Sequence, residues 1–193
     1  MKKIAIFASG SGSNFQAIMD SIKIGNLDAS VELLVCDRQD AYVLERANRE
    51  QTPIFCFNPK SYESKAEFES EIVLELNKRN VDYIILAGYM RLIGPTLLNE
   101  FSNRIINIHP SLLPSFPGKD AIGQAFRAGV KVTGVTIHFV DEGMDTGPII
   151  AQEALNIDES DTEITLAEKV HEIEHRLYPE TIQALFQKLS VIN

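Results

Sequence analysis

The fold class is decided near the N-terminus, by the stretch Lys3-Ile4-Ala5-Ile6-Phe7-Ala8-Ser9-Gly10-Ser11-Gly12-Ser13-Asn14. Its apolar run stops at Ser9 and a glycine loop follows, which is typical of a buried strand and not of a signal peptide. Behind the loop, apolar residues recur at helical spacing from Phe15 to Ile22 and predict a helix capped by Ser13 or Asn14. A strand, a glycine loop and a helix in this order indicate an α/β fold.

Further apolar runs rich in β-branched residues follow this stretch. They lie at Val31–Cys36, Ile54–Phe57, Val81–Ala87 and Arg104–Ile108, and helical patterns separate most of them. This alternation predicts an open, mostly parallel, twisted sheet with helices on both faces, a Rossmann-like α/β architecture.

The sequence pattern changes after Gly118. A short helix is predicted near 121–128, and two alternating segments, 131–140 and 148–157, predict antiparallel strands at the C-terminal end of the sheet. A final helix is predicted from a cap at 161–162. No repeat or flexible linker divides the chain, so we expect a single domain over residues 1–193.

Composition and charge restrict the possible functions. Of the 193 residues, 45% are hydrophobic and 23% are charged, as in ordinary globular proteins. The formal net charge of -9 argues against nucleic-acid binding, because phosphate backbones require a basic face. No apolar stretch approaches the roughly 20 residues that span a bilayer, so no membrane association is expected. The two cysteines, Cys36 and Cys56, lie in predicted core strands, which fits a reducing, cytoplasmic location.

The glycine loop at residues 10–14 is a candidate anion site. Peptide N–H groups and the positive end of a helix dipole meet there, and phosphate is the natural ligand. The loop lacks the third glycine of the dinucleotide fingerprint and the Gly-Lys pair of the Walker loop. A tight turn without a ligand is the alternative interpretation. We interpret Asp37, after the second predicted strand, as a turn residue.

A second candidate site combines Asn107 and His109 with one of the acids of residues 141–148. Strand periodicity puts Asn107 and His109 on one side at the C-terminal end of a buried strand, where open α/β sheets bind ligands. Asp145 lies in a loop, 141–148, that contains three acids and two glycines and can bring a carboxylate to the histidine. An amide, an imidazolium and a supporting carboxylate are groups that stabilise the oxyanion of acyl transfer. A buried core histidine and a solvated acidic turn are the alternative.

Metal binding is not predicted. His171 and His175 lie one helical turn apart, in a segment that resembles the metalloprotease motif only superficially. The downstream ligand of that motif is missing.

Four segments together resemble the folate-dependent formyltransferase family. They are residues 8–14, 86–91, 107–114 and 138–149, and the resemblance covers essentially the whole chain. It implies an enzyme that transfers the formyl group of 10-formyltetrahydrofolate, a co-substrate, to the amine of 5'-phosphoribosylglycinamide. The products would be formylglycinamide ribonucleotide and tetrahydrofolate, in purine biosynthesis.

The resemblance also implies roles for individual residues. Catalysis is assigned to Asn107, His109 and Asp145. Contacts with phosphoribosylglycinamide are assigned to Gly12, Ser13, Asn14 and Glu174. Contacts with the formyl folate are assigned to Lys65, Met90, Arg91, Leu92, Ile93, Asn107, Val140 and Asp141.

The acceptor is harder to assign than the chemistry, because related formyltransferases share the Asn-x-His pair and the distant aspartate. A methionyl-tRNA formyltransferase would carry a further tRNA-binding domain, and the glycine loop favours a ribonucleotide. One departure from the family is Gly118-Lys119-Asp120, since many members have a histidine in place of Asp120. A non-catalytic phosphosugar-binding module is the alternative from another class. We expect small-molecule ligands only, and a monomer or homodimer.

Overall fold

The computed structural model describes residues 1–192, with side chains as far as Leu189. This part of the chain forms seven strands and six α-helices. The first elements are β1 (Lys2–Ala8), α1 (Ser13–Lys23), β2 (Ala29–Cys36), α2 (Val43–Arg49), β3 (Ile54–Cys56), α3 (Lys65–Lys78) and β4 (Tyr83–Leu86). They are followed by α4 (Pro95–Glu100), β5 (Ile105–His109), α5 (Ala121–Ala128), β6 (Val132–Phe139), β7 (Ile149–Asn156) and α6 (Glu163–Ile192).

All seven strands belong to one sheet, in the order β3-β2-β1-β4-β5-β6-β7. The pairs from β3 to β5 are parallel, whereas β6 is antiparallel to β5 and β7 to β6. The predicted fold class is therefore confirmed, including the antiparallel strands at the C-terminal end. The strand order reverses between β1 and β4, so the loops that follow them diverge and leave a crevice at the carboxyl edge. Cys36 and Cys56 are free thiols in register on β2 and β3.

Two apolar layers cover the sheet. On one face, α1, α2, α5 and α6 pack against side chains that include Ile4 and Ile6 of β1. On the other face, α3 and α4 pack against a layer that includes Ala5 and Phe7 of the same strand. Because both faces are covered, β1 is a continuous apolar run and not an alternating one.

The start of α1 differs from the predicted cap at Ser13 or Asn14. The helix begins at Ser13, but the capping residue is Gly12, and no side chain caps the helix. Gly12 has a φ of 74°, and a Cβ atom at this position would lie 2.5 Å from Cγ2 of Val43 on α2. Glycine is therefore required by both the backbone conformation and the packing of α2. The prediction was wrong because it considered capping chemistry and not this packing.

The long helix α6 connects the fold to the carboxyl edge of the sheet. Tyr178, within this helix, is fully buried, and its hydroxyl lies 2.9 Å from the Leu86 carbonyl oxygen and 3.0 Å from that of Ile106. These carbonyls belong to β4 and β5, so one hydroxyl links α6 to two neighbouring strands. No helix within residues 1–192 is long and apolar enough to cross a membrane.

Candidate active site

A cavity of about 600 Å³ lies at the carboxyl edge of the sheet, where the strand order reverses. Its wall is formed by the glycine loop after β1, residues 86–93 after β4, the end of β5, residues 118–122, the β6–β7 loop and part of α6. Parallel strands end at one edge of a sheet, so segments that are distant in sequence meet here. The two candidate sites predicted from the sequence form parts of this one cavity.

The glycine loop contributes unsatisfied polar groups to the cavity. The peptide N–H groups of Ser13 and Asn14, in the first turn of α1, donate to no acceptor within residues 1–192. The Asn14 side chain is buried, and its Oδ1 has no partner in the same part of the chain. Free donors at a helix N-terminus are suited to an anion. The geometry favours the anion site over a plain tight turn.

Helix α6 places an acid and a base beside this loop. The buried Glu174 carboxylate has its Oε2 3.3 Å from Asn14 Nδ2 and 2.8 Å from His171 Nδ1. The hydrogen bond with Glu174 raises the pKa of His171 above its ordinary value, against the weaker opposing effect of burial. His171 therefore carries its charge to a higher pH than an unpaired histidine does. Sequence reasoning treated this histidine only as a metal-ligand candidate and missed its placement.

Asn107, His109 and Asp145 meet in the cavity, as the sequence predicts. His109 Nδ1 lies 3.4 Å from Asp145 Oδ2, and His109 Nε2 lies 2.8 Å from the Phe116 carbonyl oxygen. Both ring nitrogens of this buried histidine thus face an oxygen acceptor, an arrangement suited to an imidazolium. The catalytic role of the three residues stays a prediction.

The carboxylate of Asp145 is fixed by its own backbone and by its neighbours. Asp145 has a φ of 57°, a left-handed conformation that aspartate tolerates better than most residues. Its Oδ2 accepts a hydrogen bond from the Gly118 N–H group at 2.7 Å. Burial raises the pKa of the carboxyl, but His138, Gly118 and His109 together outweigh burial and hold this pKa below its ordinary value. Asp145 is therefore ionised at neutral pH.

A further histidine, His138, lies in the site, and sequence reasoning assigned it no catalytic or binding role. It is buried and lies opposite Asn107 in the register of β5 and β6. Its Nε2 lies 3.1 Å from Asn107 Nδ2 and 3.7 Å from Asp145 Oδ1. His138 takes at most one N–H of the Asn107 amide, which leaves the other for a ligand. Only the strand register, which residue spacing does not give, would have identified this residue.

Residues 88–93 form a wall of the cavity without regular secondary structure. Met90 and Leu92 are 64% and 47% exposed, although both side chains are large and apolar. The peptide N–H groups of Arg91 and Leu92 donate to no acceptor in the described part of the chain. Exposed apolar side chains beside free peptide groups suit a flat heteroaromatic ligand.

Most of the residues predicted for the site line the cavity. They are Gly12, Ser13, Asn14, Met90, Arg91, Leu92, Ile93, Asn107, His109, Val140, Asp145 and Glu174. Lys65 and Asp141 do not. Lys65 Nζ donates to the Leu92 carbonyl oxygen at 2.6 Å, and Asp141 Oδ1 accepts from the Gly143 N–H group at 3.0 Å. Each supports a lining segment, and direct contact with the folate stays a prediction for both.

Asp37 is not a turn residue, and that interpretation was wrong. The side chain is buried, and it accepts hydrogen bonds from Ser9 Oγ at 2.6 Å and Arg91 Nε at 2.7 Å. The error arose because these partners follow two other strands, β1 and β4. Residues 118–120, where the sequence departs from the family pattern, line the cavity as well.

No three histidine, cysteine or acidic side chains among residues 1–192 are grouped so as to hold a metal ion. A second, more open hollow of about 490 Å³ lies between α1 and α6 and shares Ser13 with the main cavity. Two basic side chains, Arg46 and Arg176, and two acidic ones, Asp20 and Glu180, line this hollow. Their charges balance, so the hollow favours neither an anion nor a cation.

Comparison with known proteins identifies the family. A family profile described as formyl transferase matches residues 2–182. The chain belongs to the formyl transferase family. Phosphoribosylglycinamide formyltransferase of Bacillus subtilis (strain 168) is 60% identical to this formyltransferase over 185 residues, which are 96% of this chain and 95% of the relative.

Two further similarities agree with this assignment. The trifunctional purine biosynthetic protein adenosine-3 of Homo sapiens is 40% identical over 181 residues, which are 94% of this formyltransferase and 18% of the human protein. The crystal structure of phosphoribosylglycinamide formyltransferase from Bacillus halodurans superposes with a TM-score of 0.95 at 56% identity, covering 97% of each chain. The family resemblance found in the sequence is confirmed, and the protein is a formyltransferase enzyme.

Proposed function

We propose that this formyltransferase transfers the formyl group of 10-formyltetrahydrofolate to the amine of 5'-phosphoribosylglycinamide in de novo purine biosynthesis. The observation that carries the proposal is the joining, in one cavity, of free N–H groups at the glycine loop with Asn107, His109 and Asp145. The first suits a substrate phosphate, and the second suits formyl transfer. The names of the similar proteins support the same acceptor.

Each substrate is assigned to one part of the cavity wall. The ribonucleotide phosphate is assigned to Gly12, Ser13 and Asn14, with Glu174 in contact with the rest of the ribonucleotide. The unsatisfied N–H groups of Ser13 and Asn14 support the phosphate assignment, and the buried, unpartnered Oδ1 of Asn14 can accept a hydrogen bond from a donor group elsewhere on the ribonucleotide.

The formyl folate is assigned to the wall of residues 90–93, with Asn107 and Val140 beside its reactive end. The exposed apolar side chains and the free peptide groups of this wall support the assignment. Lys65 is bonded to this wall and Asp141 to the β6–β7 loop, and both are proposed to meet the folate at the margin of the cavity.

The reaction begins when the acceptor amine attacks the formyl carbon and the carbonyl electron pair moves onto oxygen. The free N–H of Asn107 donates to this oxyanion, and the positive charge of the His109 imidazolium, whose two ring nitrogens face Asp145 and the Phe116 carbonyl oxygen, stabilises it. Asp145 in turn stabilises the imidazolium. The bond between the formyl carbon and the folate nitrogen then breaks, and the proton lost by the amine is transferred to that nitrogen. Holding both substrates in one cavity can supply several kcal/mol of the rate enhancement, and roughly 7 kcal/mol or more in ideal cases.

The proposal is tested by measuring tetrahydrofolate release with each substrate alone and with both together. Release only in the presence of both substrates is expected. Calorimetric heat of ribonucleotide binding without any turnover would instead identify a binding module. Methionyl-tRNA should not replace phosphoribosylglycinamide as acceptor.

The remaining properties are proposed on the same basis. Residues 1–193 form one domain, and the enzyme acts in the cytoplasm on small molecules, as a monomer or homodimer without a metal. Sedimentation at several protein concentrations distinguishes the two oligomeric states.

A further inference from the structure

The segment of residues 90–94, which forms most of the wall and continues it to Gly94, raises the question of what holds it in place. Between the end of β4 and the start of α4, these residues belong to no helix or strand. A segment without a backbone hydrogen-bond ladder needs other contacts to keep one conformation. Two buried carboxylates from other elements supply such contacts, one near each end of the segment.

Asp37 holds the first end. Its Oδ2 accepts from Arg91 Nε at 2.7 Å, and its Oδ1 accepts from Ser9 Oγ at 2.6 Å. Ser9 Oγ in turn accepts from the Met90 N–H group at 2.9 Å. The Asp37 side chain is only 6% exposed, whereas that of Arg91 is 38% exposed. Asp37 is thus bound to Arg91 directly and to Met90 through one hydroxyl.

Glu69 of α3 holds the other end. Its Oε1 accepts from the Gly94 N–H group at 2.6 Å, and its side chain is 2% exposed. A Cβ atom on Gly94 would lie 2.6 Å from one carboxylate oxygen of Glu69, so the glycine permits this close approach. Burial raises the pKa of Glu69 above its ordinary value. One turn earlier on α3, Lys65 binds the Leu92 carbonyl oxygen.

The contacts of Asp37 and Glu69 leave some peptide N–H groups of the segment without a hydrogen-bond acceptor. The N–H group of Met90 donates to the Ser9 hydroxyl, and that of Gly94 donates to the Glu69 carboxylate. The N–H groups of Arg91 and Leu92 donate to no acceptor within residues 1–192. We propose that Asp37 and Glu69 are positioning residues for the formyl donor, which hold residues 90–94 at both ends and keep the peptide groups between them aligned for that donor. The inference rests on the proposed function.

A positioning role and a purely structural role are distinguished by the kinetic constant that changes when the residue is replaced. In Asp37→Ala and Glu69→Ala, the KM for 10-formyltetrahydrofolate should rise about tenfold or more, as for loss of a buried hydrogen bond to a charged group. The KM for phosphoribosylglycinamide should stay within about twofold, because the glycine loop keeps its own contacts. Glu69→Gln keeps an acceptor for Gly94 and should recover most of the donor affinity.

Matched controls lie close to both residues. Asp40, three residues after Asp37, pairs with Arg38 at 2.9 Å on the surface, and Glu67 on α3 is exposed and binds the Glu63 N–H group. Asp40→Asn and Glu67→Gln should leave both KM values unchanged. If Asp37→Ala fails to fold, Ser9→Ala removes the Met90 anchor while the Asp37–Arg91 pair remains.

Three results would overturn the inference in folded variants. They are an unchanged donor KM, an equal rise in both KM values, and a lower melting temperature with normal kinetics. Wild-type protein that releases no tetrahydrofolate would instead overturn the proposed function. In that case calorimetric affinity for tetrahydrofolate, compared between wild type and variants, still decides whether the two carboxylates position a folate.

Discussion

Replacement of Asp145 by asparagine should remove most of the turnover while leaving the fold and the ribonucleotide site intact. Asparagine has the same shape and can still accept from the Gly118 N–H group, but it carries no charge opposite His109. Two unit charges at the observed 3.4 Å interact by about 5 kcal/mol at an effective dielectric constant of about 20. Since 1.4 kcal/mol corresponds to a tenfold change in rate, the upper limit is a loss of about 10³ to 10⁴.

We expect a fall in kcat of about 10³, because the asparagine dipole replaces part of the lost interaction. Single-turnover formation of tetrahydrofolate measures this change, and circular dichroism reports the fold. Calorimetric affinity for the ribonucleotide should stay within about threefold of wild type. Asp158→Asn, which breaks a surface pair with Lys169, is the control and should retain full activity. A folded Asp145→Asn enzyme with kcat within about tenfold of wild type would contradict the role of this carboxylate.

Three further outcomes are expected. Ser13→Asp places a negative charge at the proposed phosphate site and should raise the KM for phosphoribosylglycinamide more than it lowers kcat; steady-state kinetics would refute the phosphate assignment if that KM were unchanged. Tyr178→Phe leaves two buried carbonyl groups without their hydroxyl partner and should lower the free energy of unfolding by about 1–3 kcal/mol in urea titrations, and an unchanged midpoint would contradict this. Glu174 raises the pKa of His171, so the His171–Glu174 pair stabilises the fold fully below the unfolded histidine pKa of about 6.5, and this stabilisation is lost as the pH rises through the folded pKa. His171→Ala should therefore lower the free energy of unfolding more at pH 5.5 than at pH 8.5. Equal losses at the two pH values in urea titrations would contradict the raised pKa.

The parallel half of the fold could be predicted because strands that are buried on both faces consist of continuous apolar residues, a pattern that is visible in the sequence. β1 reads as a continuous apolar run, and α5 was predicted with the bounds that the structure shows. The short helices α2 and α4, of seven and six residues, carry too few turns for a reliable apolar period. Their positions are set by tertiary packing, as the contact of Val43 with Gly12 illustrates.

The candidate site was predictable where its geometry follows from one strand. Asn107 and His109 share a side of β5, so strand periodicity was sufficient, and the family resemblance supplied Asp145. His138, Asp37 and Glu69 could not be predicted because each acts on a partner that is distant in sequence. Such contacts depend on strand order and register, which local sequence patterns do not encode.

The contribution of α6 to the site has a consequence for biosynthesis of the protein itself. The ribosome makes this helix after every strand of the sheet and after the whole glycine loop. Until it docks, the part of one apolar sheet face that α1, α2 and α5 do not cover is exposed, and Glu174 and His171 are absent from the cavity. A newly made chain therefore completes the cover of this face and the proposed ribonucleotide site in the same event, so a ligand at that site selectively stabilises chains in which α6 has docked.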